Sequence, residues 1–141
     1  MPSARYRVFD HTADIGLEVA APTLPELFET AAHALFEQIT EVDAVRPLET
    51  REVSAEASGT EELLVRWLSE LIFLHDAEGV LFSRFEVRSL TSTRVTAGVA
   101  GEPFDRARHP VKTEVKAVTY HQVSVAEQPD GTHVARFVVD V

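Results

Sequence analysis

Four short stretches of this 141-residue chain combine residue types that could do chemistry. The first is "DHTAD", Asp10 to Asp14, with two carboxylates and an imidazole just ahead of an alternating apolar run. Oxygen and imidazole donors without cysteine suit hard or borderline cations. Asp10 also suits an Asx turn and His11 a turn or cap, so a polar corner leading into a strand is the alternative. The second is the ending "FVVDV", where Asp140 stands beside the terminal carboxylate of Val141. A strand pattern that reaches the last residue implies a docked terminus, and two anions held together repel unless a cation neutralises them. The alternative is that both carboxylates point to water. The third is "EVKAVTYH", Glu114 to His121, where Thr119 and His121 share the parity of Val115 and Ala117. That pattern by itself favours internal pairing. The fourth is a cationic cluster, Arg106, Arg108, His109, Lys112 and Lys116, which reads either as a solvated loop or as a binding patch.

The rest of the composition excludes several classes. A formal net charge of -10 argues against holding nucleic acid by the overall field, because phosphate binding is driven by Lys and Arg. With no cysteine there is no disulfide framework, zinc ribbon or thiol chemistry. The chain has no Gly-rich phosphate loop, no His-Glu-x-x-His and no Gly-x-Ser-x-Gly. The start lacks the apolar core of a signal peptide, and no apolar run approaches the length of a membrane span, so a cytoplasmic, membrane-free protein is expected.

The elements that must position these residues follow from periodicity. Thr23 and Glu26 form a capping box with Pro25 in the first turn, and Leu27, Phe28, Ala31, Ala32, Leu35, Phe36 and Ile39 follow at helical spacing. A second helix is expected with Thr60 as cap, a stripe of Leu63, Leu64, Trp67, Leu68, Leu71 and Ile72, and Gly79 as terminator. His33 and His75 fall in or at the ends of these helices, in packing or capping positions, and Trp67 reads as core. Period-2 runs predict strands at Ile15–Val19, Val53–Ala57, Leu81–Val87, Val95–Val99 and Ala135–Val141. A long strand is also predicted that carries Val115, Ala117, Val123 and Val125 on one side. The expected fold is therefore α+β: two amphipathic helices packed on a mostly antiparallel sheet, as a single two-layer domain over residues 1–141.

Together, "FDHTADIGLEV", "LPELFETAAHALFEQIT", "LLVRWLSELIFLHDAEGVLFSRFEV", "HPVKTEVKAVTYHQ" and "FVVDV" resemble the archease family, in family order and over nearly the whole chain. The resemblance implies a non-catalytic protein cofactor of the tRNA-splicing RNA ligase, which joins 2′,3′-cyclic-phosphate or 3′-phosphate ends to 5′-hydroxyl ends. The cofactor promotes nucleotidylation of the ligase's own histidine and allows multiple turnover. It also implies a divalent cation, Ca²⁺ or Mg²⁺, held by Asp14, Asp140 and Val141, with RNA and nucleotide met only through the ligase. The oligomeric state is left open. Arg108, His109, Lys112, Lys116 and His121 are the candidate contacts to that partner. Two other readings stand beside this one. A metal-dependent phosphohydrolase would use Asp14 and Asp140 with His11 or His121 as acid or base, although the ligand set is thin for two-metal chemistry. A general chaperone or adaptor would need a large exposed apolar patch.

Overall fold

The computed structural model describes residues 4–11 and 14–141; the side chains of Asp10 and His11 also lie outside the described residues. The elements run β1 (Arg5–His11), β2 (Asp14–Ala21), α1 (Leu24–Ile39), a 3₁₀ turn (Val42–Ala44), β3 (Glu49–Glu56), α2 (Thr60–Glu78), β4 (Val80–Leu90), β5 (Arg94–Pro103), β6 (Ala117–Glu127) and β7 (His133–Asp140). The expected α+β class holds, with every paired strand antiparallel. The strands divide between two sheets, a four-stranded one in the order β1-β2-β7-β6 and a three-stranded one in the order β3-β5-β4. Both helices touch both sheets, α1 through β2 and β4 and α2 through β6 and β3.

The helices form for the reasons visible in the sequence. Thr23 Oγ1 accepts from the Glu26 N–H at 3.2 Å, closing the N-terminus of α1. Gly79 ends α2 at φ 67, a left-handed conformation that favours glycine. The start of α2 differs from expectation by one residue. Gly59 is the N-cap and Thr60 the first helical residue, while Glu62 reaches back to accept from the Ser58 N–H at 2.7 Å. His75 lies in the last turn of α2, its Nδ1 donating to the Val80 carbonyl at 2.8 Å. Leu17, Val19, Leu27, Phe28, Leu35, Phe36, Leu63, Leu64, Trp67, Leu68, Phe137 and Val139 form the centre of one shared core. Trp67 donates its Nε1–H to the Phe28 carbonyl at 3.0 Å, tying α2 to α1. Burial of side chains this large contributes about 1.5–3 kcal/mol each.

Two strands depart from simple alternation. In β4, Val80, Leu81 and Phe82 are buried in succession, and the register with β5 shifts after them, between Phe82 and Arg84 and again between Val87 and Ser89. In β6, the register breaks between Thr119 and Ser124, and Gln122 there has φ 59. The predicted single face of Val115, Ala117, Val123 and Val125 is therefore not continuous: Ala117 is exposed, and Val118 turns into the core instead.

Candidate functional site

The start of β2 and the end of β7 meet in the four-stranded sheet. In the β2–β7 ladder Asp14 is paired with Asp140, Ile15 with Val139 and Leu17 with Phe137. This register is set by burial. Leu17, Val19, Phe137 and Val139 are fully buried, so a one-residue slip would turn that set out to water. The same register forces Asp14 and Asp140 onto one face, with Cβ atoms about 4.5–5.5 Å apart as for any directly opposed antiparallel pair. That face is the one turned away from the core, and Asp140 is exposed on it. Next to Asp140 on its other side stands Ala117 of β6, and the Lys116 N–H donates to the Asp140 carbonyl at 2.8 Å. Val141 packs against the core beyond the end of β7.

As donors, two facing carboxylates and a neighbouring terminal carboxylate are all hard oxygens. They suit Ca²⁺ or Mg²⁺ with water completing the shell, and do not amount to a closed cage. Among the described residues no group of three or more His, Cys, Asp or Glu side chains gathers to hold a metal ion by itself. Thr12, Ala13 and the side chain of His11, which belong to the "DHTAD" motif, lie outside the described residues.

Within the cationic stretch, Arg108 and His109 turn inward on Glu102, while Arg106, Lys112 and Lys116 are exposed. His109 is buried; its Nδ1 accepts from the Asp105 N–H at 2.8 Å, which puts the ring proton on Nε2, 3.1 Å from Glu102 Oε2. Arg108 also donates to Glu102 Oε2, and the Arg46 N–H donates there at 2.6 Å. Burial pushes the Glu102 carboxyl up, but the Arg46 N–H, His109 and Arg108 outweigh it and hold the group down at about 2. Lys112 reaches Glu41 at 3.1 Å and Glu37 at 3.3 Å, and donates to the Glu37 carbonyl at 3.0 Å in the last turn of α1. Arg106 and Lys116 are exposed. His121 is exposed in the irregular part of β6, its N–H donating to Thr119 Oγ1 at 3.2 Å. Thr119 lies opposite Val138 on the outer face with Ala117 and Asp140. The polar pair thus does not interrupt an apolar core face. Sequence reading missed Glu102, whose only signal is a single acid in the otherwise buried stretch of β5.

The two-helix, two-sheet α+β fold has known members. The model of the archease protein family matches residues 6–141, and the chain belongs to that family. A protein named archease from Methanopyrus kandleri is 48% identical over 135 residues, covering 94% of this chain and 96% of its own. One from Thermococcus gammatolerans is 41% identical over 140 residues, covering 97% and 99%. The solution structure of Methanobacterium thermoautotrophicum protein 1598 superposes with a TM-score of 0.83 at 37% identity, covering 96% of this chain and 98% of that one. A Thermotoga maritima structure described as an archease, possible chaperone, shares the fold with a TM-score of 0.62 at 24% identity. These names designate a protein and no reaction. Among the described residues, no helix is long and apolar enough to cross a membrane.

Proposed function

We propose that this chain is a non-catalytic activator of the tRNA-splicing RNA ligase, and that it works through a Ca²⁺ or Mg²⁺ held by Asp14, Asp140 and Val141. The observation that carries the reading is the Asp14–Asp140 pair on an outward face at the end of the sheet. Two carboxylates there leave coordination positions open on the solvent side, where a partner's phosphate or side chain can complete them. An activator of this kind promotes nucleotidylation of the ligase histidine and restores it between rounds, while RNA and nucleotide remain bound to the ligase. The chain makes no covalent intermediate of its own.

The test is to add the purified chain to its cognate ligase and count both ligase nucleotidylation and rounds of ligation. The native chain should raise both. Folded Asp14→Ala and Asp140→Ala should raise neither, and normal activation by either one would remove the site from the mechanism. Nucleotide hydrolysis by the isolated chain with Mg²⁺ would support the phosphohydrolase reading instead. Suppression of aggregation of unrelated proteins without ligase activation would support the chaperone reading.

A further inference from the structure

The outer face of the four-stranded sheet carries more than the acidic pair. One step along the strands from Asp14 and Asp140, the row across the sheet is Phe9, Gly16, Val138 and Thr119. The next row is Arg7, Glu18, Arg136 and Ser124. Four residues separate the acidic row from the arginine row, about 13 Å at the rise of a strand.

The two arginines are held in place. Arg7 sets Nε 2.9 Å and Nη2 3.3 Å from the two oxygens of Glu18, and Arg136 sets Nε 3.3 Å from Oε2 of the same carboxylate. Both guanidiniums also lie against the Phe9 ring, Arg136 at 4.3 Å and Arg7 at 5.9 Å from its centroid. The ring lies across Gly16, where a Cβ would come within 2.2 Å of it. Glycine inside a central strand weakens the strand and marks a close approach; here the approaching group is the ring that braces both arginines. Two guanidiniums on one carboxylate leave a local positive charge in a chain of net charge -10. Their side chains remain 62% and 46% exposed, so donors are free for a second acceptor. Because the rotamers are already set, little ordering entropy is lost when that acceptor arrives.

We infer that this face is a protein-docking surface that reads two charges of opposite sign. The Asp14–Asp140 row takes the divalent cation of the proposed function, and the Arg7–Arg136 pair takes a carboxylate of the partner protein about 13 Å away. A carboxylate fits the fork geometry of a guanidinium. A nucleic acid strand fits poorly, because the acidic chain repels a polyanion beyond this one pair. The inference takes the ligase as partner and so rests on the function proposed above.

Association with the ligase, followed by stopped flow at low and physiological salt, tests it. Arg7→Ala/Arg136→Ala should slow association about tenfold at low salt, with the gap closing as salt rises. Gly16→Ala removes no charge, yet should weaken binding severalfold by displacing Phe9; if it does not fold, Phe9→Leu removes the ring with little loss of bulk. Arg94→Ala, which removes an exposed arginine paired with Glu56 on the other sheet, should leave association unchanged. Native association by a folded Arg7→Ala/Arg136→Ala chain overturns the inference, as does a defect seen only when RNA is present. A native chain that does not bind the ligase overturns the parent function as well, a result distinct from either of these.

Discussion

Asp14 and Asp140 face each other because the ladder demands it, and facing carboxylates repel. Replacing either with its neutral isostere, Asp14→Asn or Asp140→Asn, should leave Tm unchanged or slightly raised in the absence of cation. The same variants should lose calorimetrically measured Ca²⁺ binding. A fall in Tm of several degrees would mean that the pair holds the fold together. Glu102 is the opposite case, a carboxylate the fold depends on. Its folded pKa is depressed to about 2, so its stabilisation is complete above the ordinary carboxylate value of 4.5 and disappears as pH falls from there through 2. Thermal unfolding of the native chain should therefore lose Tm steeply across that window. Glu102→Gln should start lower at pH 7, by roughly 1–3 kcal/mol, and show a flatter acid response. An unchanged acid profile would show that other groups govern acid unfolding.

At the scale of elements, the connection from β5 to β6 has no regular structure, yet it is anchored along its length. Lys112 N–H donates to the Ile39 carbonyl at 3.0 Å and Thr113 N–H to the Gln38 carbonyl at 3.1 Å. Thr40, the C-cap of α1, donates its hydroxyl to the Pro110 carbonyl at 2.7 Å. The end of α1 thus supplies and receives the bonds that hold the loop, and the loop then delivers Lys116 to the Asp140 backbone. Thr40→Val keeps the side-chain shape and strands the Pro110 carbonyl, at a cost of about 1–3 kcal/mol. Amide exchange at Lys112 and Thr113 should accelerate in that variant well before exchange in β7. Uniform acceleration throughout the chain would mean that the loop and the core open together. Lys112→Glu is a poor probe of partner binding for a related reason. It would put a third carboxylate beside Glu37 and Glu41 at the negative end of a helix.

For the whole molecule, pairing β2 with β7 makes the acidic corner a property of the complete fold. A cation that binds only the folded chain stabilises it by mass action. Millimolar Ca²⁺ should therefore raise the Tm of the native chain. If the Val141 carboxylate is a ligand, amidating the terminus should shrink that rise and reduce ligase activation in parallel, while every side chain is retained. A C-terminal extension should do at least as much harm. An amidated chain with the full Ca²⁺-dependent shift and full activation would eliminate the terminus from the site.

Local pattern in the sequence was sufficient for α1 and for the end of α2, because a threonine cap, a capping-box glutamate and a terminating glycine act within one turn of where they stand. It was also sufficient for β2 and β7, whose alternation puts Leu17, Val19, Ala135, Phe137 and Val139 on the core face. The family resemblance joined the first acidic motif to the last, a link that no periodicity contains. Three features were decided only by tertiary structure. The strands separate into two sheets, and each helix packs against both. β6 breaks its alternation at Tyr120–Val123, since pairing with β7 on either side of the break sets two registers that a continuous strand cannot satisfy. Arg108 and His109 turn inward on Glu102, because a buried carboxylate must find its hydrogen bonds wherever the chain folds, and Lys112 pairs with Glu37 and Glu41, far away in sequence.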